Sequence, residues 1–161
     1  MAKSRDKTRT PRITNRKARH DYHILDAFEV GIELRGSEVK SVREGRASIS
    51  EGFARVNTRT GELWLYDVDI APYPQAPVTA HEPKRPRKLL AHRREIERLT
   101  GETSAKGTTL VPLTMYFNDR GICKVELATA QGKARSDKRE SLKKKEADRD
   151  MRRAMTRRRI G

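Results

Sequence analysis

The sequence predicts a mainly β protein: a small antiparallel OB-like β-barrel with two or three short helices and a basic C-terminal tail that is helical when bound. Three observations carry this. Apolar residues recur two apart in several runs, the links between those runs are short or crossed by one small helix, and the excess charge sits at the two ends of the chain.

Residues 1–14 are polar and basic without a period, which predicts a disordered arm. In "HILDAFEVGIELRG", Phe28, Val30, Ile32 and Leu34 alternate with polar residues, as in a half-buried strand. "GSEVKSVREG" reads as a short helix with Ser37 as N-cap, Val39 and Val42 on one face and Gly45 at its end. "ASISEGFARVN" and "ELWLYDVDIAPY" flank "TRTG" as a hairpin, with Trp64, Tyr66, Val68 and Ile70 as the alternating set of the second strand. "PYPQAPVTAHEPKRP" is a Pro-rich loop. A helix is expected from near Pro86, with Leu89, Leu90, Arg93, Ile96 and Leu99 as its stripe and Gly101 as C-cap. "TTLVPLTMYF" and "ICKVELATA" form a last hairpin around "NDRG". The expected division is an arm at 1–14, a barrel at 15–131 and a tail at 132–161.

Charge separates the same regions. Residues 1–20 hold eight Lys/Arg and one acid, residues 132–161 thirteen and five, and residues 21–131 sixteen of each, so the whole +15 lies in the ends. A neutral body between cationic extensions suits a polyanion partner. No apolar run follows the basic start, and none approaches the roughly 20 residues of a membrane span, so neither a leader nor a membrane partner is expected. The single cysteine, Cys123, cannot form an intrachain disulfide and fits a reducing, cytoplasmic setting.

Catalysis finds little support. His20, Asp21 and His23 in "HDYH" do not complete a zinc set, His81 and His92 have no motif around them, and neither a phosphate loop nor a nucleophile motif is present. No catalytic residue, metal or cofactor is therefore expected. Nucleic acid finds more. "NRKARHDY" sets Asn15, Arg16, Lys17 and Arg19 beside His20 and Tyr22, cations for phosphates followed by groups that stack or hydrogen-bond. "KRPRKLLAHRR" clusters Arg87, Lys88 and further cations where a helix is expected to begin, against the preference of the macrodipole.

In the tail, Asp137 with Glu140 three residues on suggests a capping box, and no Gly or Pro interrupts the run to Arg159. Pairs Glu140–Lys144 and Asp148–Arg152 add roughly 0.2–0.5 kcal/mol each. Ordering the backbone costs roughly 1–2 kcal/mol per residue. The apolar stripe, Ala147, Met151, Ala154 and Met155, is thin. The expectation is a tail unordered when free that becomes helical on a polyanionic surface.

"NRKARHDYHI", "FEVGIELRGSEVKSVREG", "RKLLAHRREI", "GTTLVPLTMYF" and "GKARSDKRE", in this order and spacing, closely resemble the small protein B family (SmpB), the tmRNA-binding proteins of bacterial trans-translation. The likeness runs from about Asn15 to the C-terminus. It implies an OB-like barrel that binds the tRNA-like domain of tmRNA and delivers alanyl-tmRNA to stalled ribosomes. The tail would enter the empty mRNA channel near the decoding centre, against small-subunit rRNA. The family's RNA-contacting Asn, Glu and Leu fall on Asn15, Glu29 and Leu90. With Arg16, Lys17, Arg19, Lys40, Arg87 and Lys88 they form the expected tmRNA site. The family's tail motif falls on Asp137, Lys138 and Arg139; the position before it, often His or Tyr, is Ser136 here. Lys143, Lys144, Lys145, Met151 and Met155 complete the expected ribosome-binding tail. The free protein is expected to be a monomer. The alternative from composition is a structural ribosomal or general RNA-binding protein with basic extensions; a DNA-binding protein and a nuclease are the more distant ones.

Overall fold

A computed structural model describes residues 10–77 and 81–160 of the chain, with side chains to Arg157. The elements are β1 Ile13–Thr14, α1 Ala18–Asp21, β2 Tyr22–Ile32, α2 Gly36–Arg43, β3 Ala47–Ser48, β4 Phe53–Asn57, β5 Glu62–Tyr66, β6 Asp69–Ile70, β7 Arg87–Leu90, α3 Arg93–Thr103, β8 Thr108–Phe117, β9 Cys123–Gly132 and α4 Arg135–Ile160. The expected arm lies outside the described residues as far as residue 9, as do 78–80 of the Pro-rich loop. Ile13 and Thr14 of that arm already pair with β8.

Strands β8, β4, β5, β7, β2 and β9 pair in that order, and β9 pairs back to β8, so six antiparallel strands close a barrel. Closure leaves few sheet edges. Inside lie Val30, Leu63, Leu65, Leu89, Leu110, Met115, Val125 and Leu127. A second, smaller cluster sits outside the barrel wall: Ala18 of α1 packs on Val111, Leu113, Ala128 and Ala130. Covering on both sides explains why β8 and β9 are buried almost continuously rather than in alternation.

The hairpin turns behave as their residues require: Gly61 and Gly121 take φ of 70° and 77°, and Asn118 Oδ1 accepts from the N–H groups of Arg120 and Ile122. Three expectations are corrected. In the β4–β5 hairpin the buried residues are Leu63 and Leu65, while Trp64 and Tyr66 lie on the other face. Asp67 then adopts φ 54° and reverses the phase, which brings Val68 and Ile70 inward. Residues 87–90, expected in a helix, form β7, because this short strand bridges β5 and β2 and closes the barrel. The helix begins only at Arg93, and Gly101 lies within it. Finally, α2 starts at Gly36: the Arg35 N–H donates to Glu38 (2.7 Å), and Ser37 instead donates its hydroxyl to His81 Nδ1 (2.8 Å).

Helix α2 plugs one end of the barrel through polar groups. Glu38, fully buried, accepts from Arg85 Nε (2.8 Å) and Arg87 Nε (2.9 Å). Arg87 is fully buried too and donates further to the carbonyls of Val68 (2.7 Å) and Pro83 (2.9 Å). His81 donates from Nε2 to the Ile70 carbonyl, and Ser41 donates to that of Ala71. Among the described residues no buried side-chain polar atom lacks a partner. Burial alone would raise the Glu38 carboxyl; the Arg85 guanidinium, the Arg35 N–H and Arg87 outweigh it and hold it below its usual range.

Arg87→Ala would leave Glu38 charged and half-partnered, with an expected loss of about 3–5 kcal/mol in urea unfolding. Glu38 titrates lower in the folded than in the unfolded chain, so its contribution is complete above the ordinary carboxylate range and is lost as pH falls through the folded value. Glu38→Gln is expected to remove that part of the acid dependence of stability.

Candidate nucleic-acid interface

The N-terminal basic segment is fixed by one side chain. β8 carries a bulge between Pro112 and Thr114, which frees a carbonyl from the ladder. Asn15 takes it: Nδ2 donates to Pro112 O (3.0 Å) and Ile49 O (3.2 Å), while Oδ1 accepts from the Ala18 N–H (3.1 Å). Asn15 is thus buried and its side chain is fully used, so its role in the free chain is to hold α1 rather than to face a ligand. Arg16 and Arg19 are exposed and make no ion pair among the described residues, whereas Lys17 binds Glu51 at 2.6 Å, which raises its pKa.

The second patch lies on the outer face of β7, β2 and β9. Glu29 is exposed and stands directly opposite Glu126 of β9, two like charges without a cation between them in any ion pair among the described residues. Such opposition costs stability, so the positions answer to something besides folding. One outward position further along β2, Gly31 faces Leu90 on one side and Lys124 on the other. With no side chain at Gly31, Leu90 leans over it (a Cβ there would lie 3.2 Å from Leu90 Cβ) and stays 51% exposed. The register row Thr14–Thr114–Glu126–Glu29 runs across four strands, so the β1 segment and Glu29 are about 14 Å apart around the barrel at roughly 4.8 Å per strand.

The other expected site residues divide. Lys88 faces outward and pairs with Glu62 (2.7 Å), each moving the other's pKa toward its charged form. Lys40 is exposed, its ammonium over the Tyr73 ring at 5.3 Å. Arg87 drops out: its guanidinium is the buried partner of Glu38, with no surface to offer RNA. The basic cluster that looked out of place at a helix start is accounted for by β7, which sends Arg87 inward and Lys88 outward. Sequence spacing missed Glu126 and Lys124, which only strand register brings beside Glu29 and Gly31.

The tail forms one continuous helix, α4, where the sequence reading expected no order before contact with a polyanion. What that balance omitted is nucleation, the costly step in helix formation. Asp137 accepts from the Ala134 N–H (3.4 Å) and from His23 Nε2 (3.3 Å), and Lys138 pairs with Asp21 (3.4 Å). The first turn is therefore held by the chain itself. The expected Glu140–Lys144 and Asp148–Arg152 pairs do not close. Ser136, Arg139, Lys143, Lys144 and Lys145 are exposed, and Met151 and Met155 are 59% and 65% exposed. The "HDYH" cluster is the tail's anchor: the His20 hydrogen bond, then Lys138, hold Asp21 ionised and its pKa lowered against a partial burial that acts the other way. Burial pushes the Cys123 thiol up to about 12 and makes it a poor nucleophile. Among the described residues, no helix is long and apolar enough to cross a membrane.

Comparison with known proteins agrees with this surface. The family model described as SmpB protein matches residues 12–157. The SsrA-binding protein of Acidothermus cellulolyticus is 55% identical over 145 residues, 90% of this chain and 89% of the relative. That of Thermobifida fusca is 50% identical over 159 residues, 98% of each chain. A solved chain described under "tmRNA-SmpB: a journey to the center of the bacterial ribosome" aligns with a TM-score of 0.66 and 47% identity, covering 82% of this chain and 94% of that one.

Asn15→Ala is expected to lower stability by about 1–3 kcal/mol, because it strands the carbonyls of Pro112 and Ile49 and the Ala18 N–H. Leu90→Ala, at an exposed position, is expected to stay within about 0.5 kcal/mol of the parent. Urea unfolding of the two variants, with hydrogen exchange at Ala18, separates a residue that holds the surface from one that forms it.

Proposed function

This chain belongs to the SmpB family, and we propose that it binds tmRNA through its barrel, brings alanyl-tmRNA to stalled ribosomes and places α4 in the vacated mRNA channel. The observation that carries this reading is the separation of charge: a body whose ions balance, and a helix beyond it whose cations face solvent. It acts as a binding protein, in the bacterial cytoplasm, with no chemical step assigned to its own side chains.

The barrel contact is proposed on Glu29, Leu90 and Lys88, flanked by Arg16, Arg19 and Lys40. Glu29 repels phosphate, so its value is as an acceptor for base N–H groups or sugar hydroxyls, with Glu126 as a second acceptor beside it. Leu90 offers an apolar surface to an unstacked base. The cations supply the phosphate attraction that sets affinity. Asn15 and Lys17 serve indirectly, by fixing α1. In the tail, Arg139, Lys143, Lys144 and Lys145 meet rRNA phosphates, Ser136 offers a hydroxyl in place of an aromatic ring, and Met151 and Met155 supply the apolar contact. Rescue specificity is steric, since messenger RNA and helix compete for one groove.

Truncation before Ser136 is expected to leave tmRNA affinity nearly intact and to abolish peptide tagging in a reconstituted stalled-ribosome assay. Equal loss of both would place the tail within the tmRNA grip. Binding of tmRNA by the full chain is expected to weaken with salt, log K falling by roughly 0.7–0.9 per phosphate contact against log salt. A flat salt curve would exclude the electrostatic contact.

A further inference from the structure

We propose that Asp21, His23 and Lys133 are positioning residues that aim α4 away from the barrel in one direction, so that the tail leaves the body as a directed rod. The inference rests on the function proposed above, and it concerns residues outside both the barrel patch and the helix itself.

The described side chains of α4 from Leu142 onward are all exposed, so nothing beyond the first two turns sets its direction. Within those turns, three positions are held. Asp137 meets His23 at 3.3 Å and Lys138 meets Asp21 at 3.4 Å. Ser141 accepts from Lys133 Nζ at 3.0 Å, and the same ammonium donates to the Arg19 carbonyl at 3.0 Å. The Lys133 N–H also donates to the Asp21 carbonyl (2.9 Å), which joins the end of β9 to the end of α1. Positions 137, 138 and 141 lie on one side of the helix. Three contacts spread over more than one turn fix an axis, where a single one leaves a pivot.

Leverage makes the angle matter. From Ser141 to Arg157 the helix rises about 24 Å at 1.5 Å per residue, so a tilt of roughly 20° at its root carries the far end about 8 Å. That is most of a helix diameter, enough to miss a groove cut to receive it. The anchor also links the two proposed contacts. Asp21 and the Arg19 carbonyl belong to α1, which Asn15 holds on the barrel, so the body that carries tmRNA sets the bearing of the tail.

The test uses the full-length protein. Spin labels go on cysteines placed at Arg120 and Arg153, both exposed, while native Cys123 is buried and unreactive. The parent is expected to give one narrow distance distribution. Asp21→Lys and Lys138→Asp should each broaden it, and the two together, which restore the pair with reversed charge, should narrow it again. In parallel, Asp21→Asn is expected to keep tmRNA affinity within about twofold, as an exposed ion pair would allow. If one tail direction in about five remains competent, its tagging rate falls about fivefold. A parent distribution already broad, single variants as narrow as the parent, a reversed pair that stays broad, or Asp21→Asn tagging at the parental rate would each overturn the proposal. Absence of tmRNA binding by the parent would instead overturn the function on which it rests.

Discussion

The buried carboxylate of Glu38 is the constraint on which the rest of the body depends. The barrel is closed by β7, only four residues long, and a strand that short cannot hold its place by ladder bonds alone. Glu38 reaches it from α2, and Arg85 and Arg87 bring in the loop before it. Each guanidinium also ties down backbone carbonyls that would otherwise be buried unpaired. Removing two charges from water is costly, and an apolar plug would be at least as stable. What the ions add is register: a bidentate, multiply bonded arginine accepts one geometry. β7 is thereby set so that Leu90 faces out beside Gly31, and the proposed RNA surface inherits its shape from an ion pair on the opposite side of the sheet.

A second consequence concerns where charge is consumed. In the body most cations near the proposed contact already have partners: Lys17 with Glu51, Lys88 with Glu62, Arg98 with Asp26, Arg87 with Glu38. Exposed pairs of this kind add little stability and remain available for exchange with phosphate, because water has already weakened them. The buried pair is different and is not for exchange. Net charge alone does not make that distinction; burial does.

Much of this was legible in the sequence, and the misses have physical causes. Alternation in 28–34 found β2, and "NDRG" found the last turn, because period and turn chemistry are local. The 86–90 segment misled because Leu89 and Leu90 fit the stripe of the following helix as well as a strand, and only two neighbouring strands decide between them. Trp64 and Tyr66 misled because one residue, Asp67, reverses the phase at a positive φ that alternation does not foresee. Among site residues, Glu29 and Leu90 lie where an interface needs them, while Asn15 and Arg87 turned out to face inward. A basic or polar letter in a motif does not say which side of a sheet it is on. The anchor of the tail was in view as "HDYH" but was weighed as a metal set, since its partners lie more than a hundred residues away.

The tail then explains itself by what it lacks. With a thin apolar stripe it has no reason to fold back on the body, and its cations would gain little there, because the body is electrically balanced. A helix of 26 residues, about 39 Å long, extends from such a body only if its first turn is prepaid by contacts at the root. Those contacts are weak singly and act together on direction rather than on stability. The same five acids that dilute the tail's charge include Asp137, whose carboxylate binds His23 and caps the first turn. Cationic length supplies attraction to a polyanionic groove, and the acid at its base supplies aim.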